Sequence, residues 1–250
     1  MKNIVLIRHG QSQGQTASHQ GVSREDPSFI DCFLTSKGIK EAIQLRSNRV
    51  LNRYKFDLVC TSPLSRAIST CVLALGGIIE KEIREKGVAS TPFIAHADIS
   101  EAGKGVPENK GRDVQVLLKD LSTKLLVVSP STVCLDHIDF SMLPDSWPDI
   151  IEDDDKSVKK QKLEMFLKWI ANREEEIIAV VCHYNVIRWM LNNSIYEVPN
   201  CVPIECVLTD DARLVLKSEQ FEASQSTASS ISGQGKDRKN KSKHGRNTTK

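Results

Sequence analysis

Two arginines and two histidines occupy positions that a fold can bring together. Arg8-His9-Gly10 follows the apolar run Ile4-Val5-Leu6-Ile7. Arg66 lies one turn into a helix expected to open after Asp57-Leu58-Val59-Cys60 and the turn Thr61-Ser62-Pro63, with Thr61 or Ser62 as its cap and Pro63 in its first turn. His183 follows Ile177-Ile178-Ala179-Val180-Val181-Cys182, the most strand-like stretch of the chain. An arginine fork suits two oxygens of a phosphoryl group. A neutral imidazole can attack phosphorus, and Gly10 lets the backbone approach an anion. Each residue alone is ordinary, because a histidine after a strand is most often a satisfied loop residue. Three strands that each end in a phosphate-competent residue are more informative. If those strands are parallel neighbours, Arg8, His9, Arg66 and His183 converge at one sheet edge, where open α/β sheets bind ligands. The chemistry implied is phosphoryl transfer, which asks a protein chiefly for positioning and charge stabilisation. His9 has to attack as neutral imidazole, whereas a cationic His183 would help hold the phosphoryl charge. The cluster is therefore expected to keep its two histidines in different protonation states.

The elements that position these residues alternate. Strands are predicted over 3–7, 57–61, 92–96, 177–182 and 213–217. Helices are predicted over 35–52, 64–75, 112–121, 156–172 and 185–193. Ile39, Ala42, Ile43, Arg46 and Val50 fall at helical spacing behind Thr35 as cap. The acidic run Glu152-Asp153-Asp154-Asp155 precedes the fourth helix and favours its positive end, with Lys168 and Arg173 toward the other end. This alternation argues for one α/β domain with a mainly parallel sheet.

Composition narrows the function classes. A chain of 250 residues with 40% hydrophobic residues can bury one substantial core. No apolar run reaches membrane-spanning length, and the four apolar residues before Arg8 are too few for a signal-peptide core. The seven cysteines lack paired spacing and read as reduced thiols of a cytoplasmic protein. Cys182, His183, Cys201 and Cys206 fit no standard zinc spacing and read as packing residues, so neither metal nor cofactor is expected. Net charge is +2, but seven Lys or Arg and one Asp after position 235 give that end +6 and leave −4 on residues 1–235. Residues 222–250, rich in Ser, Gln, Gly, Lys and Asn, are expected to be a disordered basic tail. Such a tail can contact nucleic acid or anionic surfaces, serve as a nuclear address, or have no partner. Oligomeric state is not legible.

The motifs together resemble the histidine phosphatase superfamily, in its phosphoglycerate mutase-like branch. Ile7-Arg8-His9-Gly10-Gln11-Ser12 is similar to the family's nucleophile motif, and Asp31-Cys32-Phe33-Leu34-Thr35-Ser36-Lys37-Gly38 to its D-x-x-L-T-x-x-G segment. Thr61-Ser62-Pro63-Leu64-Ser65-Arg66-Ala67 is similar to the second arginine motif, and Val181-Cys182-His183 to the second histidine motif. Glu101-Ala102-Gly103-Lys104-Gly105-Val106-Pro107-Glu108-Asn109 resembles, more loosely, the segment with the catalytic acid. The resemblance runs over roughly residues 1–217. It implies a three-layer α/β/α sandwich with a mainly parallel central sheet, occupying residues 1–221 with an insertion at about 97–155. It implies His9 as the nucleophile that becomes phosphohistidine, with Arg8, Arg66 and His183 binding the phosphoryl group. Glu101 would be the general acid, with Asp98 and Glu108 as alternatives.

Two residues depart from the family pattern. Gln15 stands where many members carry asparagine and is expected to contact phosphate. Tyr184 and Asn185 stand where many carry glycine, and Tyr184 either adds bulk at the site or packs inward. Residues 122–155, with Trp147, are expected to close over the pocket and, with Gln15–Val22, to contact substrate. Trp147 sits either at the pocket mouth or anchors the insertion on the core. The implied activity is metal-independent hydrolysis of a small phosphomonoester. The alternatives are a phosphoglycerate mutase, and an inactive phospho-ligand binding or scaffold protein in which the tail does the work.

Overall fold

A computed structural model describes residues 1–23, 25–103, 106–129, 133–148 and 156–217. The chain begins with β1 (Lys2–Arg8) and α1 (Gln13–His19), followed by α2 (Ser36–Gln44) and α3 (Arg49–Asn52). Next come β2 (Leu58–Thr61), α4 (Ser65–Leu75), α5 (Gly77–Lys86) and β3 (Phe93–His96). Then follow α6 (Val114–Leu126), α7 (Val133–Asp136), β4 (Ile138–Met142) and α8 (Lys156–Ala171). The described chain ends with β5 (Ile177–Cys182), α9 (Tyr184–Met190), β6 (Pro203–Leu208) and β7 (Leu214–Leu216).

The strands form one sheet in the order β4-β3-β2-β5-β1-β6-β7. The first five strands of that order run parallel, and β6 and β7 are antiparallel additions beside β1. Period-2 alternation sends Val5 and Ile7 of β1 to one face, where they join a core with α2, α4, α5 and α6. Ile4 and Leu6 go to the other face, against α8 and α9. Two apolar layers on one sheet make the three-layer α/β/α sandwich. They also explain why β1 and β5 read as unbroken apolar runs: both faces are covered.

Several expectations need correction. The helix predicted over 35–52 breaks at a 3-10 turn, Leu45–Ser47, after which Asn48 adopts extended backbone and its side chain accepts from Val50 N to start α3. Neither Thr61 nor Ser62 caps α4: the N-cap is Leu64, without a side-chain bond, and Pro63 precedes the helix. The stretch 122–155, expected to lie over the pocket, contributes in its described part the end of α6, the short α7 and the edge strand β4, all packed into the body. Trp147 donates from Nε1 to Arg112 O at 3.0 Å and lies against Gly111, so it anchors this stretch and does not rim the pocket. The elements α1, α5, α7, β4 and β6 were not expected. The acidic run at 152–155 and the tail from 222 lie outside the described residues. Among the described residues no helix is long and apolar enough to cross a membrane.

Candidate active site

The carboxyl ends of β1, β2 and β5 meet at one edge of the sheet. His9 continues β1, and its N–H donates to Cys182 O at 3.0 Å, tying it to the end of β5. The loop after α9 clamps the same point: Cys201 N donates to Arg8 O at 2.9 Å. Asn200 Nδ2 donates to His9 O at 2.6 Å. On the opposite side Gly10 N donates to Thr70 Oγ1 of α4 at 3.0 Å. The nucleophile candidate therefore sits on backbone held from both sides.

The His9 ring has a readable tautomer. Its Nδ1 lies 2.7 Å from Gly10 O. A carbonyl oxygen can only accept, so Nδ1 carries the proton and Nε2 keeps its lone pair. Arg66 Nε donates to that Nε2 at 3.3 Å. Burial, then the charges of Arg66 and Arg8, hold the His9 pKa well below its usual value, so the ring is neutral at pH 7. His9 and Arg66 face a cavity of about 220 Å³ together with Arg8, Gln15 and Glu101.

Arg66 is buried and held by the loop that follows β3. Its Nη1 donates to Glu108 O and its Nη2 to Asn109 Oδ1 at 2.8 Å. Asn109 in turn donates to Ala102 O at 2.8 Å and Gly103 O at 3.0 Å, beside Glu101. Arg8 Nη1 donates to Val198 O at 2.8 Å, and its guanidinium lies 5.1 Å over the Tyr184 ring. Arg8 Nε is buried and without a hydrogen-bond partner. Burial lowers the Arg8 pKa while Glu101 opposes that effect, and a guanidinium remains cationic.

Glu101 faces the cavity. Its Oε1 accepts from Ala102 N at 2.9 Å and its Oε2 from Asn185 N at 3.3 Å, at the start of α9. Glu108 also faces the cavity, whereas Asp98 does not. Asp98 N donates to His96 Nδ1 at 3.2 Å, outside the cluster. Gln15 lines the cavity, but its Oε1 accepts from Ser12 N at 2.9 Å in the capping box of α1. Tyr184 and Asn185 line the cavity as well, so Tyr184 adds bulk at the site.

His183 departs most from expectation. It is wholly buried, with its ring centroid 5.0 Å from that of His9 and its Nε2 2.8 Å from Ser62 Oγ. It contributes no surface to the cavity, and its Nδ1 has no hydrogen-bond partner. Burial, then Arg66 and His9, hold its pKa well below the usual value. The expected cationic His183 is therefore corrected: both rings are neutral here, because burial disfavours a charged imidazole and the Arg66 and Arg8 charges add to that effect at each ring. Sequence reasoning also missed Asn109, Asn200, Ser62 and Thr70 as holding residues. Asn109 and Ser62 stood inside quoted motifs, while Asn200 and Thr70 carried no signal.

The cluster combines a neutral nucleophile whose unprotonated Nε2 accepts from Arg66, two guanidinium groups and two carboxyls at the same cavity. That set suits transfer of a phosphoryl group to nitrogen. Residues 4–101 match the sequence profile of the histidine phosphatase superfamily, branch 1. A phosphoglycerate mutase-like protein of Arabidopsis thaliana is 28% identical over 210 residues, covering 77% of this chain and 74% of that protein. The ecdysone phosphate phosphatase of Bombix mori, solved with tungstate, superposes with a TM-score of 0.58 at 12% identity, covering 87% of this chain and 93% of that chain. The phosphoglycerate mutase of Bacillus anthracis gives 0.52 at 17% identity, covering 90% and 96%. The two structural likenesses establish the fold. The resemblance to the superfamily holds, and with it an enzyme that acts on phosphate groups.

Proposed function

We propose that this chain, whose residues 4–101 match the histidine phosphatase superfamily, is a phosphomonoester hydrolase that works through phosphohistidine at His9. The observation that carries the reading is the Nδ1–H bond of His9 to Gly10 O, which leaves Nε2 unprotonated beside Arg66, in a ring that lines a cavity shared with Arg8 and Arg66. In the first step Nε2 bonds to phosphorus and the P–O bond to the alcohol breaks. The protonated carboxyl of Glu101 gives its proton to the departing oxygen. In the second step water attacks phosphorus, the P–N bond breaks, and the Glu101 carboxylate takes the water's proton, releasing inorganic phosphate. Arg8 and Arg66 offset the charge on the non-bridging oxygens, with Arg66 exchanging its bond to Nε2 for bonds to the phosphoryl group. Gln15 supplies an amide at the cavity wall. His183, packed on His9, takes a proton from the monoanionic form of the ester as it binds and leaves the phosphoryl group a dianion, since a nearby negative charge favours the cationic ring.

The test is turnover of p-nitrophenyl phosphate in the presence of a chelator, by wild type and by His9→Ala. Hydrolysis that survives chelation and is lost in the variant is the expected result, and undiminished turnover by His9→Ala overturns the nucleophile assignment. Interconversion of 3-phosphoglycerate without net hydrolysis would point to a mutase instead. Phosphate binding with no turnover of any phosphomonoester would point to a binding protein. Glu101→Gln and Glu108→Gln, compared on the same substrate, separate the two carboxyls. The acid is the one whose loss hurts p-nitrophenyl phosphate, a good leaving group, less than an alkyl phosphate.

A further inference from the structure

Asp31 is a wholly buried carboxylate whose hydrogen bonds go to Ser65, Arg112 and Pro107 and not to the nucleophile motif, yet it bonds to the element that carries Arg66. Helix α4 begins without a cap of its own. Its first N–H, that of Ser65, donates to Asp31 Oδ1 at 2.7 Å, and Ser65 Oγ donates to Asp31 Oδ2 at 2.7 Å. Asp31 holds a backbone φ of +44°, a left-handed conformation that a short polar residue tolerates better than most. From the other side, Arg112 Nε donates to Asp31 Oδ2 at 3.2 Å and Arg112 Nη2 to Asp31 O at 3.1 Å. Arg112 Nη2 also reaches Ser65 Oγ at 3.3 Å, and its Nη1 pairs with Asp120 at 2.5 Å. Asp31 N donates to Pro107 O at 3.2 Å.

These bonds close a ring. Residues 101–103 provide Glu101, and residues 106–112, tied to them by the Asn109 bonds to Ala102 O and Gly103 O, aim the Arg66 guanidinium through Glu108 O and Asn109 Oδ1. Asp31 fixes the first turn of α4, one residue before Arg66. Arg112 joins that turn to the far end of the same loop. Arg66 is thus set twice, at its backbone by Asp31 and at its guanidinium by the loop, and Arg112 keeps the two settings in register.

We propose that the Asp31–Arg112 pair is a positioning latch that couples the acid-bearing loop to Arg66, so that phosphoryl binding and proton donation are aligned together. This rests on the hydrolase reading for its second half only, because alignment of Arg66 is also read by affinity for inorganic phosphate. The experiment measures the dissociation constant of inorganic phosphate, kcat on p-nitrophenyl phosphate and thermal unfolding for wild type, Asp31→Asn, Arg112→Gln, the double variant and Arg112→Lys. The expected result is a loss of at least tenfold in both phosphate affinity and kcat in each single variant. The double variant should be no worse than the worse single, and Arg112→Lys should recover part of the loss. Arg53→Gln, which removes an exposed arginine from its pair with the buried Glu205 carboxylate away from the cavity and leaves that carboxylate its bond from Tyr54, is the control and should change neither quantity. Should Asp31→Asn fail to fold, Arg112→Gln keeps the test alive, since that side chain is only partly buried. Variants that unfold at lower temperature but bind phosphate and turn over like wild type would reduce the pair to a structural tie and overturn the proposal. A wild type that binds phosphate without turnover removes the hydrolase reading and leaves the latch to be judged on affinity alone. A wild type that does not bind phosphate overturns both.

Discussion

Gly38→Ala, a change of one methyl group, is expected to damage both stability and turnover, although Gly38 has no polar side chain and lies outside the cavity. Gly38 is in the first turn of α2, where its N–H donates to the Thr35 cap at 3.1 Å. A Cβ there would meet Gln11 O at 2.1 Å and Gln11 N at 2.8 Å, both backbone atoms that cannot rotate away. The contact is mutual, since a Cβ on Gly10 would meet Gly38 O at 2.5 Å. The two segments therefore have to separate by roughly 1 Å at Gln11, two residues from His9. Three effects compete. Alanine in place of glycine in a helix is favourable by up to about 1 kcal/mol. Overpacking costs about 1–3 kcal/mol. Separation also strains the bond from Thr35 N to Gln11 O, now 2.9 Å, whose loss costs about 1 kcal/mol. The net expectation is destabilisation by about 1–3 kcal/mol. A displacement of about 1 Å near the reacting atom lowers kcat/KM by about a hundredfold. Urea unfolding and p-nitrophenyl phosphate turnover check both numbers. Gly10→Ala should be milder in stability because its clash is smaller. Gly77→Ala, with no atom within 4 Å of its Cβ, should be neutral or slightly stabilising. A Gly38→Ala protein as stable and active as wild type, or a Gly77→Ala protein equally damaged, would refute this account of the interlocked backbones.

Two further expectations concern protonation. Burial alone would raise the Glu82 pKa, but its carboxylate accepts from the N–H and hydroxyl groups of Ser90 and Thr91, and these bonds bring the pKa down to about 2. A depressed folded-state pKa adds stability above the unfolded value near 4.5 and loses it as pH falls through 2. After allowance for solvent screening, Glu82→Gln should therefore cost about 1–2 kcal/mol at pH 7 in urea unfolding, with the gap closing toward pH 2, and a gap independent of pH would contradict it. For the histidines, burial holds both His9 and His183 neutral, so NMR should find neither ring titrating between pH 6 and 8 in the free protein. Inorganic phosphate should move the His183 transition up into that window, and a ring that titrates near 6.5 without phosphate would show the burial reading to be wrong.

What could be read from the chain alone depended on whether the signal was local. The strands β1 and β5 are buried on both faces and so read as apolar runs, and a residue just past such a run lies at the carboxyl edge of a parallel sheet. That logic located Arg8, His9 and His183 without contact information. It failed for β6, which opens on Pro203 and carries Glu205 in its middle. The Glu205 carboxylate is accommodated by Tyr54 at 2.5 Å and Arg53 at 2.6 Å, partners about 150 positions away. It failed for β4, an edge strand whose exposed Asp139 and Ser141 break the apolar pattern. The same limit separates charge from residue type at the site. The sequence shows two histidines but not that both rings are buried, 5.0 Å apart and beside the Arg66 guanidinium, and burial before all else keeps both neutral. The start of α4 makes the point most sharply. Thr61 and Ser62 were the local candidates for its cap, yet the bond to Ser65 N comes from Asp31, 34 residues earlier. A cap supplied from that distance also joins two segments, so the residue that satisfies the helix can aim Arg66. A local serine could have satisfied the same N–H without joining anything.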